Sequence, residues 1–410
     1  MPLTEFENRV RFLVELARRL HQYGTSAPRL EDALGIVADR LGFACNILAT
    51  PTSVIISFNV LTDGADALPR STQVIRLAPG EVNLRRLAEV DQIAEQVSAG
   101  QLDLAAGLAA LRAVPSRLGL RASLLQVLSF GIAAGTVTAL LKGGGADVLV
   151  AAALGLLIGL FSQLVARHRN LAPSFEAVAA FIAMFAAVMI AAFWQPLRID
   201  LVVIAALIVL LPGLALTTAV VELSTQHLVA GTVRFMGATA VLLKLVFGTV
   251  AAVQVAKLLA TPPPMVNTAV LPDWTEWLAL IAASYAFAVL FQAARRDFAV
   301  AMLASWLGYL TTRIGSHWAG PEFAVFLSGL VVGSAANLYA RLLHRPGAIV
   351  RLPGIIMLVP GTVGFRSLFY VFERDVFLGL DKAFSLIVIL ASLVAGLLFG
   401  NLLVPPRRSI

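Results

Sequence analysis

Two proline–glycine pairs sit where a polar ligand could be held inside an apolar chain. Pro212-Gly213 interrupts the run LIVLLPGLALTTAVVEL, and Pro360-Gly361 interrupts IIMLVPGTVGFRSL. Proline lacks an N–H and clashes with the turn before it, and glycine adds no side-chain restraint, so each pair should open its helix. In hydrocarbon the freed backbone groups are costly unless they meet protein or line a cavity. A half-helix starting at such a break offers free N–H groups and a partial positive charge, which suits a carboxylate. Thr217 and Thr218 follow the first break; Arg366, Ser367 and Tyr370 follow the second. Lys244 is the deepest charge in its apolar stretch and could bind a carboxylate or pair with Glu176 or Glu222. The expected substrate-binding set is therefore Pro212, Gly213, Thr217, Thr218, Pro360, Gly361, Arg366, Tyr370 and Lys244. The expected proton-coupling set is Glu222, His227 and Glu176, histidine being the side-chain type suited to exchanging protons at physiological pH. Competing readings are a proline kink that only shapes packing, a structural ion pair at Lys244 and an ordinary interfacial histidine at His227. Asp147, Asp297 and Glu322 open apolar stretches, where a carboxylate suits the helix dipole.

The elements that hold these residues are apolar. The chain has 410 residues, 59% hydrophobic and 13% charged, with mean hydropathy +0.86; soluble domains carry about twice that share of charge. Basic and acidic side chains balance over residues 1–121, so the whole excess of +7 lies beyond. Beside membrane spans such an excess sets orientation, and no nucleic-acid partner is expected. Cys45 is the single cysteine, so neither an internal disulfide nor a cysteine-built metal site is available. No paired acids, HExxH or nucleophile–histidine spacing occur, so no enzyme, cofactor or metal is expected. The first 30 residues lack the apolar core of a signal peptide.

Residues 1–115 are expected to form a small cytoplasmic α/β domain. Phe6, Val10, Leu13, Leu16 and Leu20 share a helical face that Gly24 ends, and a second helix runs from Pro28 to Leu41. FACNILATPTSVIISFNV reads as two strands around Thr50-Pro51, TQVIRLA as a third, and residues 83–97 and 101–112 as helices. From Leu120 on, stretches of about 20 apolar residues recur, each enough to cross a bilayer. Ten are expected, near 121–141, 147–166, 173–194, 199–222, 231–258, 275–293, 298–315, 321–343, 347–371 and 380–403. Arg117, Arg121, Arg167, Arg169, Arg234, Arg295, Arg296, Arg341, Arg345, Arg407 and Arg408 then fall on one side, which places both termini inside.

The two halves superimpose at an offset of 148 residues. Pro173 falls on Pro321, Pro212-Gly213 on Pro360-Gly361, Gly231 on Gly379, Arg234 on Lys382 and Gly248 on Gly396. Five spans per unit is an odd number, so the units enter from opposite sides. Inverted-topology repeats of this kind are found in many secondary transporters, with the substrate held at broken helices. The fold expected is thus a mainly α membrane protein: a cytoplasmic α/β domain, a first five-helix repeat over 116–260, a Pro-rich outer linker over 261–272 and a second repeat over 273–410. A further pair, Pro353-Gly354, predicts that the ninth span is irregular through much of its length. The glycines of GLLIGL and GLVVGS should allow close helix packing.

HQYGTSAPRLEDALGIVADRLG with ATPTSVIISF, LLPGLALTTAVVELSTQHLVAGTVRF, and HRPGAIVRLPGIIMLVPGTVGFRSL resemble the segments that mark the bacterial threonine/serine exporter family. The resemblance runs from about residue 10 to 400. It implies a ten-span inner-membrane carrier with a cytoplasmic N-terminal domain that exports small hydroxy amino acids on the proton gradient. It also matches Glu222 to the acidic residue of the first membrane segment. Relatives with the two halves on separate chains are associated with dicarboxylate export, so a succinate-type exporter is the rival. In a different class stands a membrane receptor or assembly protein acting through its N-terminal domain. The expected partners are a small carboxylate-bearing metabolite, protons and the lipid bilayer; a homo-oligomer is left open.

Overall fold

The computed structural model describes residues 3–60, 70–115, 119–260, 270–358, 361–372 and 375–406. The N-terminal elements follow the sequence pattern. Helix α1 (Leu3–Gln22) buries Phe12, Leu13, Leu16 and Leu20. Gly24, at φ +82, turns the chain where an added Cβ would sit 3.1 Å from the backbone of Val82. Helix α2 (Ala27–Arg40) carries Pro28 in its first turn. Strands β1 (Phe43–Thr50), β2 (Ser53–Val60) and β3 (Ser71–Arg76) pair antiparallel in that order. The β1–β2 turn is closed by Thr50 Oγ1, which accepts the Ser53 N–H at 3.0 Å. Phe43, Ile56 and Phe58 put one face of the sheet into the core with α1 and α2. Helices α3 (Leu84–Ser98) and α4 (Leu104–Ala113) are capped by Asn83 and Asp103, whose side chains accept backbone N–H groups of their first turns.

The remaining elements are helices α5 (Leu120–Leu140), α6 (Gly145–Arg167), α7 (Phe175–Phe193), α8 (Ile199–Ala206), α9 (Gly213–Ser224), α10 (Leu228–Ala256), α11 (Thr275–Leu290), α12 (Phe298–Leu343), α13 (Ala348–Ile356), α14 (Gly361–Phe372) and α15 (Val376–Leu403). Among the described residues six helical segments are long and apolar enough to cross a membrane, ending α5, α6, α7, α10, α12 and α15; the α13–α14 pair, bent by 40°, makes a seventh candidate. Helix α12 is folded in two. Ala319 and Gly320 leave helical geometry, Gly320 at φ +86, and Pro321 opens the second arm. The arms lie against each other: an added Cβ on Gly315 would sit 3.0 Å from Ala324 Cα, and Ser328 Oγ donates to Gly308 O at 3.0 Å.

Glycines set the closest helix contacts. An added Cβ would lie 2.1 Å from Ala177 O at Gly248, in α10, and 2.1 Å from Phe326 O at Gly396, in α15. At Gly231 it would meet Ala219 O and Leu223 N; at Gly379 it would meet Ser367 O and Val371 N. All the glycines in these pairs, and the neighbours of the second pair, are 148 residues apart. Gly155 approaches Phe130 O on α5 and Gly329 approaches Leu393 O on α15, as the small-residue motifs predict.

The ninth apolar stretch is interrupted, as α13 followed by α14, but not at Pro353-Gly354: Pro353 lies inside α13. Its carbonyl accepts Ser305 Oγ at 3.0 Å, and Gly354 makes room for α12, since an added Cβ on Gly308 would fall 2.0 Å from Gly354 O. Packing against α12 supplies the partners that a lone proline helix would lack.

Candidate functional site

The first break runs from Leu207 to Pro212. Its polar backbone is satisfied by short turns: Leu210 N bonds Leu207 O at 2.8 Å, Gly213 N bonds Leu211 O at 2.8 Å, and Leu216 N bonds Pro212 O at 2.9 Å. Pro212 is the N-cap of α9. The second break separates α13 from α14; Pro360 lies outside the described residues, while Gly361 opens α14. The two breaks touch. An added Cβ on Gly361 would sit 3.1 Å from Leu211 Cβ and 3.3 Å from Gly213 N. Two segments related by the 148-residue offset therefore meet at the same residue of each.

The other expected ligands lie on the helices leaving this contact. Thr217 Oγ1 donates to Gly213 O at 3.2 Å and Thr218 Oγ1 to Leu214 O at 2.8 Å, so both hydroxyl protons serve their own helix. Their oxygens keep acceptor capacity. Arg366 and Tyr370 are half-buried on α14, and Arg366 makes no hydrogen bond or ion pair among the described residues. Lys244 is engaged with Glu176, Nζ to Oε2 at 3.4 Å, between α10 and α7. A groove of about 400 Å³ lies apart from the breaks, between α6 and α7, with Phe161 and Leu164 in its wall and Gln163 and Arg167 beside them.

Glu222 is fully buried at the end of α9. Its carboxylate accepts Arg234 Nε at 2.8 Å and Nη2 at 2.9 Å, a bidentate pair. It also accepts the backbone N–H of Ala27 at 3.0 Å. Ala27 opens α2, whose own N-cap, Ser26, makes no side-chain bond. The N-terminal domain thus has a helix capped by a carboxylate from the helical part. Next to this, His227 Nε2 lies 3.2 Å from Glu31 Oε2, and Glu31 Oε1 accepts Ala49 N at 2.8 Å. A second seam joins Leu84 N to Phe291 O at 3.0 Å and Arg85 N to Gln292 O at 3.1 Å.

Sequence reasoning missed these partners, and it missed a third cluster. Glu276, on α11, is met by Lys142 at 3.0 Å, by Tyr309 Oη at 2.7 Å and by Arg313. Lys142 also bonds Asp273 at 3.0 Å, and hydrogen bonds to both carboxylates raise its pKa above the ordinary lysine value. Spacing could not reveal it, because Lys142 and Glu276 are far apart in the chain. Asp147 is more than a dipole partner: its carboxylate accepts Gly144 N and Arg198 N, both at 2.9 Å. Asp297 pairs with Arg345. Burial pushes the Cys45 thiol up to about 12, which keeps it protonated and unreactive at neutral pH.

The model of the family described as "Putative threonine/serine exporter" matches residues 11–256, and that of "Threonine/Serine exporter, ThrE" matches residues 276–403. Among curated proteins, the chain is 25% identical to an uncharacterized protein of Schizosaccharomyces pombe over 93% of its own length and 46% of that protein. It is 25% identical to pheromone-regulated membrane protein 10 of Eremothecium gossypii, over 89% of this chain and 50% of that one. The protein of that name from Saccharomyces cerevisiae is 26% identical over 89% and 48%. The chain therefore spans about half the length of these relatives. No solved structure matches. With both family models aligned end to end over its apolar helices, this multi-pass membrane protein belongs to the threonine/serine exporter family.

Proposed function

We propose that the protein is an inner-membrane secondary transporter that exports the small hydroxy amino acids threonine and serine, driven by the proton gradient. In this reading ten spans cross the membrane as two five-helix inverted repeats: α5, α6, α7, α8–α9 and α10, then α11, the two arms of α12, α13–α14 and α15. Residues 261–272 form the outer linker, of which 261–269 lie outside the described residues. Both termini and the domain over 1–115 lie in the cytoplasm.

The observation that carries the reading is the contact of Gly213 with Gly361 in a chain of an exporter family. Inverted-repeat carriers hold substrate at paired discontinuous helices. The carboxylate is received by the N-terminus of α9 or α14, or by Arg366 or Lys244; the hydroxyl is received near Thr217 and Thr218. Because the breaks touch, substrate enters only when one half rocks against the other. Protons act at Glu222, His227 and Glu176, whose changes of charge loosen Arg234, Glu31 and Lys244 in turn.

Liposomes loaded in turn with threonine, serine and succinate, under an imposed pH gradient, test the reading. Gradient-dependent flux of threonine or serine is expected; flux of succinate alone makes the protein a dicarboxylate exporter, and no flux of any of them removes the substrate assignment. Pro212→Ala with Gly213→Ala should abolish flux while the protein stays monodisperse in detergent. Unchanged flux would make the break a packing kink.

A further inference from the structure

Arg351 occupies the middle of α13, ten residues before Gly361. Its Nη2 donates to Asn337 Oδ1 at 3.0 Å, and its Nε is buried with no partner. Asn337 cannot turn to offer more, because its amide nitrogen is committed to Asn401 Oδ1 at 2.8 Å and to Val404 O at 2.7 Å. No carboxylate among the described residues pairs with Arg351. The charge whose field reaches it has the same sign: Arg29, in the first turn of α2. Arg29 likewise makes no hydrogen bond or ion pair among the described residues. The two cations come together because α13 lies on the N-terminal domain, with Ala348, one turn before Arg351, packed against that domain's core.

Arg351 is half-buried, but its Nε is closed off from solvent without a partner, a second cation lies within reach of its field, and a single neutral amide holds it, an arrangement that a fold does not hold for stability. An anion between the two removes both costs, and the planar fork of arginine fits the paired oxygens of a carboxylate or phosphate. We propose that a small oxyanion binds between Arg351 and Arg29 and bridges the N-terminal domain to α13. This site is separate from the α9–α14 contact, and its occupancy does not depend on which substrate is carried. Bound oxyanion holds the N-terminal domain against the half-helix that leads into the second break.

Thermal unfolding of the full-length protein in detergent tests this, with inorganic phosphate, succinate or phosphatidylglycerol added against potassium chloride of equal ionic strength. At least one probe should raise Tm by several degrees, and Arg351→Gln should abolish the rise. Arg29→Gln should weaken the probe's affinity by about tenfold or more, and in anion-free buffer it should melt no lower than wild type because a repulsion is removed. A rise with phosphate or succinate identifies a free oxyanion, and a rise with phosphatidylglycerol alone identifies a lipid headgroup; either supports the site. No rise with any probe, or an equal rise in both variants, overturns it. If Arg351→Gln does not fold, Arg29→Gln decides, since no hydrogen bond or ion pair among the described residues depends on Arg29.

Discussion

The two halves of the helical part share their packing and differ in their charges. Gly248 and Gly396 each bring a helix against a carbonyl oxygen, and Gly231 and Gly379 do so against residues that correspond one for one. The polar groups are not repeated. Where the first half has Glu222, Arg234, Lys244 and Glu176, the second has Tyr370, Lys382, Ser392 and Ala324. Arg234 is locked to a buried carboxylate, whereas Lys382 meets its neighbour Asp381 on the surface. Helix contact is a matter of shape and is alike in both halves; charge is specific to what each half touches. The first half touches the N-terminal domain through Glu222 and His227, and the second brings Arg351 to it.

The largest expected effect tests the shared packing. Gly248→Ala and Gly396→Ala each place a methyl 2.1 Å from a backbone oxygen, which cannot move aside as a side-chain tip can, so each should exceed the about 1–3 kcal/mol that overpacking ordinarily costs and leave the protein unfolded. Thermal unfolding and monodispersity in detergent would measure it. A tolerated change in one half alone would break the correspondence.

The next tests the difference in charge. Arg234→Ala leaves the buried Glu222 carboxylate without its bidentate partner and should cost about 3–5 kcal/mol. Lys382→Ala removes an exposed pair and should cost less than about 1 kcal/mol. Equal losses would mean that the halves use these positions alike. Limited proteolysis should also find the N-terminal domain loosened in Arg234→Ala, because the same carboxylate caps α2.

The smallest effect concerns pH. Burial holds the imidazole of His21 below the ordinary histidine value; hydrogen bonds to the carbonyls of Thr50 and Pro51 oppose this, and the positive field of Arg234 adds to it. The unfolded chain therefore takes up the proton first. Stability owed to neutral His21 is complete above the unfolded value near 6.5 and is lost as pH falls from there to the lower folded value. His21→Asn should flatten the fall of Tm below pH 6.5. A steeper fall would assign the pH dependence to other groups.

Much of this fold was legible in residue order. Apolar periodicity placed α1, α2 and the three strands, and the small-residue runs GLLIGL and GLVVGS anticipated contacts that the helices make. Local pattern fails where a partner is remote. Glu222 reads as an acid at a helix end, and nothing near it announces Ala27, which it caps. Thr217 and Thr218 read as free hydroxyls, but a helical threonine can return its proton to its own preceding turn. Pro353 reads as a breaker until α12 supplies its carbonyl with Ser305. Arg351 was passed over because a sequence displays a charge and hides the absence of its counter-charge.

The touching of Gly213 and Gly361 also bears on how the chain is made. When the first half leaves the ribosome, its broken segment has no mate, since Gly361 is still 148 residues from synthesis. The local turns through Leu210, Gly213 and Leu216 keep that backbone tolerable in the meantime. Biogenesis thus has a waiting step: a half-finished molecule parks an incomplete surface in lipid until its counterpart arrives, and a slow second half would leave that surface open to other membrane proteins.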